Sequence, residues 1–313
     1  MVFREPREGR NKGKEVSVTK KRIGIVAPSV YILPRHYERT NALVAAHFPD
    51  VELVWHPQVF ARSPDEVSGN TGFVWSDAET VPDPMMHGHF AGSDEQRTAA
   101  FVEMANREDI DAIWFARGGY GAGRIAPDVL PRLGPAARNK TYMGYSDASY
   151  MLALLYRAGF PHLCHGPMVV DGSEEARMRA LAWLARKDPR SLEPGLKVGE
   201  RYVAFNLISA AMMVGTPLWP DVTGHVLMVE EVGEYLYAVD RCFFALTSAL
   251  WRNAPAEIRL GQVTDTREND RPFGKDEVGI AQDWCQRTNI RYGGRCEIGH
   301  YAGNKIVPFG RFG

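Results

Sequence analysis

Residues 111–124 run Asp-Ala-Ile-Trp-Phe-Ala-Arg-Gly-Gly-Tyr-Gly-Ala-Gly-Arg, so a short apolar segment leads directly into a glycine-rich loop. The segment Asp111–Ala116 has the length and composition of a buried β-strand. Glycines after a strand permit a tight turn and let the backbone approach a ligand closely. We therefore interpret this junction as one strand-loop-helix unit of a parallel sheet and extend the pattern in both directions.

The alternation of strand and helix continues on both sides of this stretch. Ser93 and Gln96 have the spacing of a capping box, which predicts a helix start. The predicted strands lie at Arg22–Ala27, Val51–Trp55, Asp111–Ala116, Thr141–Tyr145 and Val226–Val229, with one last strand after Tyr292, and the predicted helices lie at residues 93–106, Tyr37–His47, Ser146–Ala158, Glu174–Arg186, Asn206–Met213, Leu236–Leu250 and Lys275–Asn289. This order predicts an α/β protein with helices on both faces of a parallel sheet.

The length of 313 residues predicts two domains. Residues 187–195 are polar and contain two prolines, which is typical of a linker. We predict a basic, disordered tail at residues 1–21, an N-terminal α/β domain at 22–170, a linker at 171–199 and a C-terminal domain at 200–313.

The composition excludes several classes of protein. With 45% hydrophobic and 24% charged residues, the chain is neither disordered nor collagen nor a coiled coil. Its 37 basic and 38 acidic side chains give a net charge of −1, which predicts no nucleic-acid partner and no anionic membrane partner. A small or neutral ligand is favoured.

The cysteines and the first apolar segment indicate a location. Four widely spaced cysteines include no C-x-x-C pair, so we predict neither a zinc site nor a disulfide framework, and a reducing cytoplasm. The segment Ile23–Leu33 superficially resembles the apolar part of a secretion signal, but Pro28 interrupts it and no A-x-A site follows. We interpret it as the first strand and expect no membrane span.

The first candidate for chemistry is Ser146, where a predicted strand turns abruptly into a helix. A serine on such an elbow exposes its hydroxyl, while the amide of Asp147 at the helix start is directed toward a developing oxyanion. Gly144 relieves crowding at the turn. The second glycine of the hydrolase elbow is replaced by Ala148. The alternative is that Ser146 only caps the helix.

The glycine-rich loop has two interpretations. Its free amides, at Gly118 and Gly119, suit an oxyanion nest. Residues 121–126 also satisfy the G-x-G-x-x-A fingerprint of dinucleotide-binding proteins. Pro127 argues against the helix that this fingerprint needs, and no strand with a suitably placed acid follows, except at Asp147 itself.

Three further groups are candidates. The predicted strand at 226–229 delivers Glu230 and Glu231 at its carboxyl end, where α/β folds place functional residues. The alternative is that both acids are solvated or paired with Arg241, which we favour for Glu231. His300 lies in a glycine-rich segment where a base could reach a cleft. The pair His87 and His89 lacks a nearby third ligand, so we predict no metal.

Taken together, these segments resemble the LD-carboxypeptidase family of serine peptidases, which includes muramoyltetrapeptide carboxypeptidases and microcin C immunity hydrolases. The matching segments, in chain order, are Ala27–Ser29, Phe90–Arg97, Arg117–Gly121, Gly144–Asp147, His165–Met168, Leu227–Glu230, Val239–Arg241, Gly299–His300 and Val307–Gly310. They cover most of the chain.

The resemblance implies a catalytic triad of Ser146, Glu230 and His300. It also implies an oxyanion hole formed by the amides of Asp147 and of the turn at Gly118 and Gly119. The implied fold is a flavodoxin-like (Rossmann-like) N-terminal domain and a swivelling β/β/α C-terminal domain, in a homodimer. The nucleophile then belongs to the first domain and its partners to the second, so catalysis requires a cleft between the domains.

Two departures from the family pattern concern the substrate. Family members often have Gly-Gly-Asn where this chain has Ala204, Phe205 and Asn206, and a proline where it has Glu297. We expect both places to lie near the substrate cleft.

The resemblance predicts a cofactor-independent serine carboxypeptidase in the cytoplasm. Its expected reaction releases terminal D-alanine from murein tetrapeptide, at the amide after meso-diaminopimelate or L-lysine, in peptidoglycan recycling. Arg117 or Arg124 would bind the substrate carboxylate. The alternative within the family is hydrolysis of a peptidyl- or aminoacyl-nucleotide, for which an aromatic residue that stacks on the base is expected. The alternatives of another class are an NAD-binding oxidoreductase and an inactive binding protein.

Overall fold

The computed structural model describes residues 20–60, 88–250 and 253–313. His87 and nearly all of the basic tail lie outside these residues. The strands are β1 (Lys21–Val26), β2 (Val51–Trp55), β3 (Ala112–Phe115), β4 (Thr141–Gly144), β5 (Leu163–His165), β6 (Arg201–Asn206), β7 (Val226–Val232), β8 (Glu257–Thr264), β9 (Arg291–Arg295), β10 (Val307–Pro308) and β11 (Gly310–Arg311). The helices are α1 (Pro34–His47), α2 (Asp94–Asn106), α3 (Ala122–Val129), α4 (Ser149–Arg157), α5 (Glu174–Arg186), α6 (Leu207–Met213), α7 (Leu236–Ala249) and α8 (Glu277–Arg287).

The first sheet has the strand order β10-β5-β4-β3-β1-β2. Strands β1 to β5 are parallel, and β10 is antiparallel to β5. The order 2-1-3-4-5 is that of flavodoxin-like folds, in which ligands bind where the order reverses, between β1 and β3. The predicted flavodoxin-like N-terminal domain is confirmed.

Strand β3 shows why this sheet forms. All four of its residues are fully buried, as expected for a central parallel strand that is covered by helices on both faces. The indole of Trp114 is 0% exposed and its N–H donates to the carbonyl of Pro167 at 2.7 Å, so its single polar group is satisfied. The central strand therefore combines apolar burial with complete hydrogen bonding.

The second sheet has the order β11-β6-β7-β8-β9. Strands β6 to β9 are parallel, with α6, α7 and α8 as their connections, and β11 is antiparallel to β6. The C-terminal part is thus a second α/β unit. Strands β10 and β11 are separated by one residue, and each completes the edge of a different sheet.

Several predicted elements agree closely with the structure, and some features differ. The capping box is present, because the Ser93 hydroxyl accepts from the Gln96 amide while the Gln96 side chain accepts from the Ser93 amide. Strands β5, β6 and β8 were not predicted. The objection that Pro127 excludes a helix is wrong: α3 forms around it, because Ile125, Ala126 and Val129 on its inner face are fully buried. Burial outweighs the loss of one backbone donor.

Helix α5 occupies much of the segment that was predicted as a linker. It lies at Glu174–Arg186, as the sequence predicted for this helix, and its buried face contributes Ala180, Leu181 and Leu184 to the core beneath the first sheet. Ser173 caps its start by accepting from the Ala176 amide at 3.0 Å. The helix thus packs with the N-terminal sheet.

Candidate active site

Ser146 lies on a sharp elbow between β4 and α4. Its φ of 57° is in the left-handed region, which is costly for a residue with a side chain. A Cβ on Gly144 would lie 2.4 Å from a ring carbon of Phe115, so only glycine fits beneath this turn. The interpretation of Ser146 as a helix cap is wrong, because Ala148 is the N-cap of α4 and Tyr145 that of the short 3₁₀ turn Ser146–Ala148.

The glycine-rich loop lies directly against this serine. A Cβ on Gly118 would be 3.0 Å from the Ser146 Oγ, so the loop backbone contacts the hydroxyl. Gly119 has a φ of 102°, which favours glycine, and a Cβ there would meet Val30 at 2.5 Å. The close approach that the sequence predicted is therefore made to Ser146.

The Asp147 carboxylate holds the glycine-rich loop in place through hydrogen bonds. It is 5% exposed, accepts a hydrogen bond from the Ser29 hydroxyl, and accepts from the Ala122 amide at 2.8 Å. Burial raises its pKa, although these hydrogen bonds oppose the effect. A dinucleotide-binding loop would present this first-turn amide to a pyrophosphate. Here a carboxylate of the protein already binds it, which argues against the NAD-binding alternative.

Arg97 is a further anchor that the sequence analysis did not identify as functional. Its guanidinium is 1% exposed and donates to the carbonyls of Pro28 and Gly121, the latter at 2.8 Å. The charge is balanced by Asp94, and the group packs over the ring of Phe90 at 4.5 Å. Arg97 thereby joins the turn after β1 to the loop after β3. The sequence feature that could have identified Arg97 is the Phe90–Arg97 segment, which is one of the segments that match the family.

Glu230 and His300 are hydrogen-bonded to each other. The Glu230 side chain is fully buried at the end of β7, and its Oε2 lies 2.7 Å from the Nδ1 of His300. Burial lowers the pKa of His300, but the Glu230 carboxylate, with smaller contributions from Asp171 and Glu231, outweighs it, so the pKa of His300 is raised. With Nδ1 facing the carboxylate, Nε2 is the nitrogen left for chemistry.

Glu231 has a different environment, which corrects the expectation that it is solvated or paired with Arg241. It is 2% exposed and accepts from the Asn206 side chain at 2.9 Å and the Ile208 amide at 2.8 Å. Burial raises its pKa to about 7. Glu231 therefore fixes the start of α6. Of the two carboxylates, Glu230 is the one hydrogen-bonded to His300.

A cavity of about 560 Å³ brings the candidate residues together. Its wall includes Ser146, His300, Arg117, Gly118, Gly119, Tyr145, Met168, Val170, Asp171, Gly172, Ser173, Ala176, Tyr301 and Ala302. Among the described residues, the Ser146 hydroxyl makes no hydrogen bond to His300, although both groups line the same cavity. Such bonds often tighten only when substrate is present.

The two candidate arginines have different locations. Arg117 lines the cavity, and its guanidinium donates to the Tyr31 carbonyl at 3.5 Å. Arg124 is exposed, does not line the cavity, and forms a bidentate pair with Asp94 at 2.7 to 3.2 Å. Arg117 is thus the one that faces the candidate substrate site.

Tyr145 and Asp171 were missed by the sequence analysis. The Tyr145 ring lies 4.6 Å from the His300 ring between centroids, and its hydroxyl donates to the Asp171 carboxylate at 2.5 Å. Burial raises the pKa of Asp171 to about 6, against the lowering effect of the Tyr145 hydroxyl. Asp171 falls in the segment predicted as linker, where no motif marked it.

The two departures from the family pattern do not line the cavity. Ala204 and Phe205 are fully buried in β6, where Phe205 packs against Phe309 at 5.3 Å between ring centroids. Neither these residues nor Glu297 lines the cavity. Neither departure is thus part of the cavity wall itself, and the expectation that both lie near the substrate cleft stays a prediction.

The described residues contain neither a metal-ligand cluster nor a membrane-spanning helix. In residues 20–60, 88–250 and 253–313, no three His, Cys, Asp or Glu side chains are grouped to hold a metal. The cysteines Cys164, Cys242, Cys285 and Cys296 are buried thiols. None of the described helices has the length and apolar character needed to cross a membrane.

Comparison with known proteins identifies relatives across most of the chain. The murein tetrapeptide carboxypeptidase of Pseudomonas aeruginosa is 26% identical over 242 residues, which are 71% of this chain and 78% of that protein. The crystal structure of muramoyltetrapeptide carboxypeptidase from Oxalobacter formigenes has a TM-score of 0.70 at 22% identity, over 93% of each chain. The microcin C7 self-immunity protein MccF, in complex with aspartyl sulfamoyl adenosine, has a TM-score of 0.70 at 17% identity, over 93% of this chain and 92% of that chain.

Family models agree with these similarities. Residues 23–166 match the model of the LD-carboxypeptidase N-terminal domain, and residues 201–312 match that of the LD-carboxypeptidase C-terminal domain. The first match contains Ser146 and the glycine-rich loop, and the second contains Glu230 and His300. Because the two models together span well over half of the sequence, the chain belongs to the LD-carboxypeptidase family.

Proposed function

We propose that this protein is a serine carboxypeptidase that releases the terminal D-alanine of murein tetrapeptide. The observation that carries the proposal is the 2.7 Å contact between His300 and the buried Glu230, in a cavity that also contains Ser146 on its strained elbow. Family membership and the Pseudomonas relative support the same substrate class.

The proposed reaction follows the roles of a serine triad. The Ser146 Oγ attacks the scissile carbonyl while Nε2 of His300 takes its proton. Glu230 holds the Nδ1–H tautomer and stabilises the imidazolium. The amides of Asp147, Gly118 and Gly119 are the proposed donors to the oxyanion.

Breakdown of the tetrahedral intermediate completes the first half of the reaction, in which the acyl-enzyme forms. The C–N bond breaks, His300 returns the proton to the departing amine of D-alanine, and Ser146 carries the tripeptide as an ester. Water then attacks this ester with His300 again as base, and the serine hydroxyl is restored. The carboxylate of the leaving D-alanine is anionic, and Arg117 is the proposed cation for it.

Mass spectrometry of the products tests the proposal. Wild-type protein is incubated with murein tetrapeptides that contain meso-diaminopimelate or L-lysine, and the expected products are tripeptide and free D-alanine. Ser146→Ala should abolish release, while Ser173→Ala, at another serine of the cavity wall, should retain it. Turnover that survives Ser146→Ala would exclude Ser146 as the nucleophile.

An aminoacyl-nucleotide is the second candidate substrate. Tyr120 is 56% exposed beside Gly119 at the cavity wall, and its ring lies 6.0 Å from that of His89. Such a surface could stack a base. Hydrolysis of an aminoacyl-sulfamoyl adenosine, with tetrapeptide left intact, would favour this candidate. Tyr120→Ala should then raise KM for the nucleotide.

The setting of the reaction belongs to the same proposal. We propose a role in peptidoglycan recycling, a cytoplasmic location and a homodimer, all implied by the family resemblance. Sedimentation of the purified protein and fractionation of cells would test the assembly and the location.

A further inference from the structure

The charges of four arginine side chains all act on His36, near the start of helix α1. Burial is the largest cause of the lowered pKa of His36, which is about 4. The cations that lower it further are Arg35, Arg117, Arg39 and Arg177, in this order. These four residues, from three separate segments of the chain, are called the arginine cluster below.

The cluster adjoins the wall of the cavity. Arg117 lines the cavity itself, and Arg177 follows Ala176, which also lines it. Arg35 and Arg39 are exposed and one turn apart on α1, so their side chains extend from the same side of that helix. Arg117 also donates to the carbonyl of Tyr31, three residues before α1, so the cavity wall reaches the start of the helix that carries Arg35 and Arg39.

The arginines of the cluster lack acidic partners. In the described part of the chain, no carboxylate is within ion-pair distance of any of the four, whereas Arg97 and Arg124 both bind Asp94. The Nε of Arg177 is buried and has no hydrogen-bond partner. The Nη1 of Arg177 donates to the backbone carbonyl of Asp171, while the carboxylates of Glu174 and Asp171 act on Arg177 only through space. Four neighbouring cations without an ion-pair partner favour an anionic ligand.

We propose that Arg35, Arg39 and Arg177 of the arginine cluster bind an anionic group of the substrate that is separate from the carboxylate of the leaving residue, for which Arg117 is proposed. The proposal rests on the proposed peptidase function and adds a substrate class to it, namely substrates with at least two anionic groups. Guanidinium groups bind carboxylates and phosphates in bidentate geometry. In a murein tetrapeptide, the matching group is the free carboxylate of the D-glutamate that precedes the L-centre.

A pair of peptides tests this subsite by turnover. One tetrapeptide has a free D-glutamate carboxylate and the other has the amide in its place. Wild type should lose about tenfold or more in kcat/KM on amidation, mainly through KM. The Arg35→Gln/Arg39→Gln variant should lose a similar factor in kcat/KM on the peptide with the free carboxylate. Its kcat/KM values for the two peptides should differ by less than about twofold. Arg157→Gln/Arg311→Gln, which removes the same charge at exposed sites elsewhere, should behave as wild type.

The outcomes separate the two proposals. Equal turnover of both peptides by wild type, or undiminished discrimination by the double variant, would overturn the subsite and leave the peptidase function intact. If wild type cleaves neither peptide, the proposed function fails, and calorimetric titration with inorganic phosphate still tests the subsite. Phosphate should bind to wild type and to the control variant with the same affinity. It should bind about tenfold more weakly to the Arg35→Gln/Arg39→Gln protein. Equal affinity for all three would contradict the subsite.

Discussion

At the scale of single residues, two adjacent carboxylates have separate environments. Neighbours on a regular strand face opposite sides, but the pairing of β7 with β8 shifts register between Val229 and Glu231, and both acids are buried. Glu230 has one oxygen on His300 and the other, Oε1, without a partner. The residue pattern did not distinguish the two acids, because their roles depend on contacts with residues 23 to 70 positions away. Only the family resemblance pointed to Glu230.

Neutralising each acid in turn tests this difference. Glu230→Gln should reduce kcat by about 10³-fold or more, since the amide cannot stabilise the imidazolium. Glu231→Gln should act mainly on stability, because it weakens hydrogen bonds to Asn206 and the Ile208 amide, and should lower activity less than tenfold. Steady-state kinetics and thermal unfolding of both variants measure the two effects. A dead Glu231→Gln enzyme beside an active Glu230→Gln enzyme would reverse the assignment.

The raised pKa of His300 predicts the pH dependence of activity. The imidazole must be neutral to accept the proton of Ser146, so kcat/KM should rise with pH through a midpoint above the ordinary histidine value of about 6.5. In Glu230→Gln burial remains but the main raising charge is lost, so the residual activity should have a lower midpoint. A midpoint that does not move would show that Glu230 does not control this titration.

At the scale of elements, the site depends on how two loops meet. The sequence predicted the glycine loop and the serine elbow because each has a local signature of glycines after a strand. It did not predict that Asp147 and Arg97 bind the loops together, since both contacts join segments that are distant in sequence. The linker interpretation missed Asp171 for a related reason: its partner Tyr145 lies 26 residues earlier.

Gly118→Ala tests the contact between the loop and the elbow. The new Cβ would lie 3.0 Å from both the Cβ and the Oγ of Ser146, so the serine side chain must move by a few tenths of an ångström. A displacement of about 1 Å at a nucleophile can cost on the order of a hundredfold in rate. Because the shift is smaller than this, we expect kcat to fall by about tenfold, with little change in Tm. Gly172→Ala, at a cavity position with no atom within 4 Å of the added Cβ, is the control.

At the scale of the whole molecule, the two sheets meet along the segment that contains β10 and β11. Phe309 lies between these strands, is 6% exposed, and packs against Tyr156 at 5.6 Å and Phe205 at 5.3 Å between ring centroids. The sequence predicted only one strand in this region. Strands of two residues carry too little periodicity to be recognised.

Removing the Phe309 side chain should lower the stability of both sheets together. Phe309→Ala should lower the free energy of unfolding by about 3 to 5 kcal/mol, as expected for a buried phenylalanine. Phe244→Ala, where the side chain is 52% exposed, should change it much less. Chemical denaturation followed by tryptophan fluorescence and by enzymatic activity measures the effect. Unchanged stability in Phe309→Ala would mean that the sheets are held together elsewhere.

The position of β10 also has a consequence for biosynthesis. The strand pairs with β5 at the edge of the first sheet, yet it is translated after every strand of the second sheet except β11. A ribosome that has made β1 to β5 therefore holds an N-terminal half with an open edge, and this edge stays unpaired until residues 307–308 emerge from the exit tunnel. Nascent chains of this protein are accordingly exposed to edge-to-edge aggregation for most of the time that translation of the C-terminal half takes.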